Sequence, residues 1–256
     1  MDYLDTHEES EFIQHEPCPE CGSRDNLARY DDGHAFCFGC NYREKAGGEQ
    51  KVVIKKGDKH MDFVEGEVTN LKARGISLDT CRKWDYCIGE VAGQPVQIAN
   101  YKDASGQRVA QKIRFRNKDF HTRGDIKEAG LYGQHLWSGK GKKAIVCEGE
   151  IDALSVSQSQ GNKWPVYSVP NGSAGASKAI RKSIELLDGY EEVIFCFDND
   201  DAGIKASREC AQVLPPGKAK IAKLPLKDAN EMVVKGRVRE LIDCIWQARV
   251  FRPDGI

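Results

Sequence analysis

Three stretches decide the fold: KAIVCEGEIDAL (143–154), EVIFCFDNDDAG (192–203) and LPLKDANE (224–231). KAIVCE is an apolar run of strand length, and IDALSVSQSQ (151–160) has the spacing of a helix. The rhythm then repeats. VYSV (166–169), EVIFCF (192–197) and AKIAKL (219–224) read as strands. SKAIRKSIELLD (177–188), AGIKASRECAQVL (202–214) and ELIDCIWQ (240–247) read as helices, the second ended by PPG. Strands alternating with helices predict an α/β fold, a parallel sheet covered by helices on both faces. Ligands of such sheets sit beyond the carboxyl ends of the strands.

Acidic clusters fall at those ends. The first holds Glu148, Glu150 and Asp152, the second Asp198, Asp200 and Asp201, the third Asp228 and Glu231. Carboxylates gathered without matching cations repel one another unless a hard divalent cation sits between them. Mg²⁺ held by two or three carboxylates is a usual device for phosphoryl transfer. The blander reading is that these are separate loop acids capping helices, since Asp152 and Asp201 lie near helix starts. Three clusters at successive strand ends favour the metal. Glu148 ends its strand, and Gly149 follows with no side chain to block a close approach.

Toward the N-terminus, YCIGEV (86–91), PVQIANY (95–101) and RVAQKIRF (108–115) alternate as strands do. TNLKARGISLDTCRKW (69–84) predicts two short helices around Gly75. Residues 100–143 carry eleven Lys/Arg against four Asp/Glu. Such a stretch is ordinarily a solvated face, and it is also the footprint that phosphates require. Lys112, Arg114 and Arg116 share a face if their strand runs on. Residues 45–60, KAGGEQKVVIKKGDKH, read as a linker, with Val52 to Ile54 as a possible short strand.

Before the linker lies a head with four Lys/Arg against twelve Asp/Glu in residues 1–50. It contains Cys18-Pro-Glu-Cys21 and, after fifteen residues, Cys37-Phe-Gly-Cys40. Two CxxC knuckles at this spacing close a tetrahedron around Zn²⁺. Four protein ligands leave no place for a catalytic water, so this zinc folds the head. Between the knuckles, RYDDGHAF (29–36) offers Asp32, which can accept from a cytosine amino group, and His34, which can bond or stack on a base. A solvated hairpin is the alternative, and spacing alone favours it.

The chain of 256 residues is 40% hydrophobic and 30% charged, enough for a real core. No apolar run nears the ~18 residues of a membrane span. The acidic start MDYLDTHEESEF lacks the order of a signal peptide. The expectation is a soluble intracellular protein whose ten cysteines are reduced thiols or metal ligands.

EGEIDAL followed by FDNDDAG resembles the Toprim pattern, a glutamate after one strand and a DxD after another. The whole order of CPEC…DDGHAFCFGC, LKARGIS, QKIRFRNKDF, LYGQHLW, EGEID, FDNDDAG, KDANE and PDG resembles something narrower. It is similar to the primase half of the phage T7 type of primase–helicase, with the mitochondrial Twinkle helicases as relatives and, more distantly, bacterial DnaG-type primases. The resemblance implies a small β zinc ribbon (1–50), a linker (51–61) and a polymerase domain (62–256). That domain divides into an N-terminal subdomain (62–142) and a Toprim subdomain (143–256).

The resemblance also implies roles. Glu148, Asp198 and Asp200 hold the catalytic Mg²⁺ ions, two by the family's pattern, and Asp228 completes the acidic site. Lys112 and Lys118 bind nucleotide phosphates and serve catalysis, with Arg114 beside them. Asp32 and His34 match positions that read the template, which tips the hairpin toward reading. The implied function is synthesis of short RNA primers on single-stranded DNA from ribonucleoside triphosphates. A replicative helicase, fused or acting in trans, and a DNA polymerase receiving the primer are the implied partners; no membrane is involved. For a phage protein the compartment is the host cytoplasm. No GxxxxGK[ST] occurs, so this chain is not itself the helicase. The rivals are a Toprim nuclease, which shares the metal chemistry, a topoisomerase, which needs a tyrosine in a further domain, and a non-catalytic zinc-ribbon module.

Overall fold

The computed structural model describes residues 10–38, 40, 42–44, 63–117, 119–126 and 129–253. The expected linker, the possible strand at Val52–Ile54, and Lys118 lie outside the described residues. The chain divides into two compact units, residues 1–60 and 61–256.

The first unit is a four-stranded antiparallel sheet of β1 (Phe12–Glu16), β2 (Leu27–Tyr30), β3 (Ala35–Cys37) and β4 (Arg43–Glu44), in that order. Among the described residues its core cluster is Leu27, Ala35, Tyr42 and the buried thiols Cys18 and Cys37. Arg29 clamps the strands, its guanidinium lying 2.8 Å from Glu16 and 3.0 Å from Glu44. A core this small needs a staple, and the cysteines supply the place for one.

The second unit opens with an antiparallel sheet. It comprises β5 (Gly66–Glu67), then after α1 (Leu78–Trp84) the strands β6 (Tyr86–Val91), β7 (Gln94–Lys102), β8 (Arg108–Arg114) and β9 (Phe120–Gly124). The expected alternation fails in β7, where Ile98, Ala99, Asn100 and Tyr101 are all buried. Both faces of this sheet are covered there. Ile98 packs with Val64 and Cys87 on one side, while Ala99 and Tyr101 join the core shared with the next layer. Around Gly75 there is one 3₁₀ turn (Lys72–Arg74) and one helix, α1, capped by Ser77. β8 ends at Arg114, so Arg116 stands in the following turn and does not share the strand face of Lys112 and Arg114.

The parallel layer follows as β10 (Gly141–Cys147), α2 (Glu150–Ser159), β11 (Val166–Ser168), α3 (Gly172–Lys182), α4 (Ile184–Asp188), β12 (Tyr190–Cys196), α5 (Asp201–Ala211), β13 (Ala219–Ile221), α6 (Ala229–Val234), α7 (Val238–Trp246) and β14 (Arg249–Val250). The sheet order is β11-β10-β12-β13-β14, parallel except for the edge strand β14. Alternate residues of β10 go to opposite faces, as the pleat requires. Ile145 and Cys147 pack with α2, α6 and α7, and Ala144 and Val146 with α3 and α5.

SKAIRKSIELLD is two helices rather than one. The N–H of Ser183 is shared between the carbonyls of Ala179 and Ile180, a tightened helix end after which α4 sets off anew. LYGQHLW is the seam between layers. Tyr132 donates to the Trp84 carbonyl at 2.7 Å, and Gly133, at φ +87°, lies where a Cβ would stand 2.5 Å from the Trp84 ring. Among the described residues no helix is long and apolar enough to cross a membrane.

Candidate active site and metal centres

β10 and β12 run in parallel register, Cys147 beside Cys196. The two chains leave the sheet side by side, Glu148 one residue beyond Cys147 and Asp198 two beyond Cys196. Gly203 lets them approach the start of α5. A Cβ there would stand 2.3 Å from the Asp198 carbonyl oxygen and 3.0 Å from Glu148 Oε2. Glu148 Oε1 accepts from the backbone N–H of Ser173, at the start of α3, at 3.1 Å. Its Oε2 is buried and has no hydrogen-bond partner. An orphaned buried carboxylate oxygen is costly unless a cation meets it.

The surrounding acids feel the same deficit. Burial, then Glu148 and Asp228, push the Asp198 carboxyl up to about 7. Burial, then Asp228, push Asp152 up to about 8, although Asp152 accepts from Asn230 N at 3.0 Å. Neighbouring carboxylates thus raise these two, while Lys227 acts the other way on Asp198. This donor set suits a hard divalent cation. Among the described residues only the cysteines bring three or more ligand atoms within 4.8 Å of one another.

Asp200 and Asp228 are helix caps. Asp200 caps α5 by accepting from Gly203 N at 2.9 Å, and Asp228 caps α6 by accepting from Glu231 N at 2.7 Å. The capping role expected of Asp152 and Asp201 falls to these two instead. Asp152 joins the acid cluster, which its place in EGEID hints at.

Glu150 is a residue whose partners the sequence does not reveal. It is buried, accepts from the Tyr101 hydroxyl, and pairs with Lys112 Nζ at 2.9 Å. Lys112 donates a second bond to the Pro170 carbonyl at 2.9 Å. Arg114 lies over the exposed Phe120 ring, 5.6 Å from its centroid.

In the first unit, Cys18 and Cys40 Sγ stand 3.6 Å apart, and Cys21 and Cys37 Sγ 3.7 Å apart. Zn–S bonds of about 2.3 Å in a tetrahedron require sulfur separations of about 3.8 Å. The four thiols thus have the spacing of a closed zinc site. In the hairpin between the knuckles, His34 and Asp32 form one unit. Asp32 accepts from the His34 backbone N–H at 2.9 Å and also meets its Nδ1. The backbone bond is the main reason its carboxyl stays below the usual range. Tyr30 stacks on the His34 ring at 4.1 Å and 9°, so one ring face is already covered.

Residues 66–124 match the family described as Bacteriophage T7 DNA helicase/primase, N-terminal a+b fold. Residues 145–233 match the Toprim-like family. Over 265 aligned residues the chain is 41% identical to the DNA helicase/primase of Enterobacteria phage T3, covering 99% of this chain and 47% of that protein. It thus spans about half the length of that curated relative. The primase fragment of the bacteriophage T7 primase–helicase superposes with a TM-score of 0.70 at 42% identity, covering 92% of this chain and all of the fragment. A second T7 structure holds the lagging-strand DNA polymerase interacting with primase domains bound to an RNA/DNA hybrid and dTTP. It matches 73% of this chain and 95% of its own at 45% identity, with a TM-score of 0.70. The Cys₄ cluster suggests zinc binding, and the Toprim-like match suggests use of a divalent metal. Ribbon, antiparallel layer and Toprim-like sheet follow one another in the order of the T7 primase fragment, and the chain belongs to the phage T7-type helicase/primase family, within its primase part.

Proposed function

We propose that this chain is a DNA primase, joining ribonucleoside triphosphates into short RNA primers on a single-stranded DNA template. The observation that carries the reading is the juxtaposition of Glu148 and Asp198 at adjacent strand ends, with an unpartnered buried carboxylate oxygen between them and the start of α5. Glu148, Asp198 and Asp200 are the proposed ligands of magnesium, two ions in all, with Asp228 completing the set. Bound there, Mg²⁺ supplies a lowered pKa for the attacking 3′-hydroxyl and neutralises charge on the departing pyrophosphate.

The chain's own residues position the reactants. Lys112, with two of its three N–H donors committed to Glu150 and Pro170, keeps one for a phosphate. Arg114, on the same strand face, is the second proposed phosphate ligand, and Lys118 a third. Asp32, ionised and oriented, and the His34 edge left free by Tyr30 are the proposed template readers. One structural zinc on Cys18, Cys21, Cys37 and Cys40 holds that hairpin. A replicative helicase, fused in a longer protein or acting in trans, and a DNA polymerase that takes over the primer are the proposed partners. The proposed compartment is the host cytoplasm.

Incubation with Mg²⁺, ribonucleoside triphosphates and random single-stranded templates tests this. Short RNAs starting at a preferred trinucleotide are expected. Shortened templates would make the chain a nuclease, and neither product would leave a zinc-ribbon binding module.

A further inference from the structure

Along the β13–β14 edge of the parallel sheet lies a cleft of about 800 Å³. Asp198 and Asn199 form part of its wall, so it is continuous with the candidate metal site. Four cations line it: Arg208 from α5, Lys223 after β13, Arg249 on β14 and Arg252 beyond it. All four residues are exposed. Among the described residues none of them makes a side-chain hydrogen bond or an ion pair. Among the described residues Asp198 is the only acid lining the cleft, and the floor is apolar, with Phe197 and Leu224 buried beneath it.

Cations scattered on a convex surface need no ligand, because water serves them. Here four from separate segments border one concavity with an apolar floor. That combination matches a nucleotide, which carries a ring and an anionic phosphate. Two sources offer it, a free nucleoside triphosphate and a nucleic-acid strand. A reacting triphosphate is neutralised at the acid cluster by metal. The phosphates of a strand running on from that centre carry no such metal and need side-chain cations. We propose that the β13–β14 cleft, through Arg208, Lys223, Arg249 and Arg252, binds the sugar–phosphate backbone of a nucleic-acid strand running past the metal site.

The inference rests on the primase reading for its biological sense, but its test needs no synthesis. Binding of a fluorescent single-stranded oligonucleotide to the 256-residue chain is titrated across salt without ribonucleotides. Arg249→Ala with Arg252→Ala should reduce the slope of log K against log salt by roughly 0.7 per lost contact, and weaken binding about fivefold per contact at ~0.1 M salt. The double Lys variant should keep most of the slope, because charge and fold are both retained. Arg181→Ala, on α3 outside the cleft, should leave the slope unchanged. Affinity for Mg²⁺–ATP, measured separately, should not move in the double Ala variant. An unchanged oligonucleotide slope overturns the proposal, and loss of ATP binding in its place assigns the cleft to free triphosphates. A chain that makes no primers yet loses the slope would overturn the primase reading and leave this site standing.

Discussion

Lys112 Nζ stands 2.9 Å from Glu150 Oε1, and this ion pair ties the antiparallel sheet to the first residue of α2. Both side chains are nearly buried, at 14% and 10% exposure. A buried charge that loses its partner is costly, whereas a well-packed apolar replacement of both is often neutral. Lys112→Ala should therefore destabilise the second unit by roughly 3–5 kcal/mol. Lys112→Met combined with Glu150→Leu should recover most of that, with catalysis still lost. Urea midpoints of the three proteins check this. Equal destabilisation in the double variant would mean that the pair does more than satisfy its own charges.

The acid cluster makes stability depend on pH and on cation. In the unfolded chain Asp152 and Asp198 ionise near the ordinary aspartate value of about 4. In the folded chain they hold their protons up to about 8 and about 7. Folded pKa values above unfolded ones mean stability that is fully present below about pH 4 and lost as pH rises to about 8. In chelator, the melting temperature should fall across that window. Mg²⁺ should restore it, more at pH 8 than at pH 6. Asp198→Asn should raise the chelator-treated melting temperature at pH 8 and abolish phosphodiester formation. That loss should exceed the ~10–100-fold typical of residues that merely support a metal ligand. Calorimetry in chelator and in Mg²⁺ reads both effects.

The first unit should fold only with metal, because its core holds few residues besides the thiols. Metal analysis should give one zinc per chain. Cys37→Ser should lose it and abolish template-directed initiation, while extension of a supplied primer survives. The melting of the second unit, which has its own core, should be unchanged. A chain that carries no zinc and still initiates on template would show the cysteines to be bystanders.

Tyr30 should matter to template choice through His34, whose ring it covers. Tyr30→Ala frees that ring, and His34→Ala removes it. Since a base contact is worth roughly 1–3 kcal/mol, each should cut discrimination among trinucleotides about tenfold or more. Exchange of residues 30–34 for those of a related primase should change the trinucleotide outright. Sequencing primers made on random templates reads the outcome. Identical start sites in the exchanged protein would place recognition in the second unit.

The sequence by itself determined the parallel α/β layer, the zinc knuckles and the identities of the acids, because these rest on local signals. Apolar runs of strand length mark buried strands, CxxC pairs mark a metal knuckle, and βα junctions mark the carboxyl ends of strands. β9 and the two-residue strands β4, β5 and β14 were not legible, since a strand so short or so exposed exists only through its neighbour. The burial of both faces of β7 also hid the alternation that a half-covered sheet shows. Only the tertiary structure decided which acid does what. Asp200 and Asp228 cap helices, Asp152 joins the cluster through Asn230, and Glu150 is spent on Lys112 and Tyr101. Glu150 and Lys112 are 38 residues apart. No periodicity reports such a meeting, because it depends on how two sheets stack, and stacking is settled by the packing of whole layers.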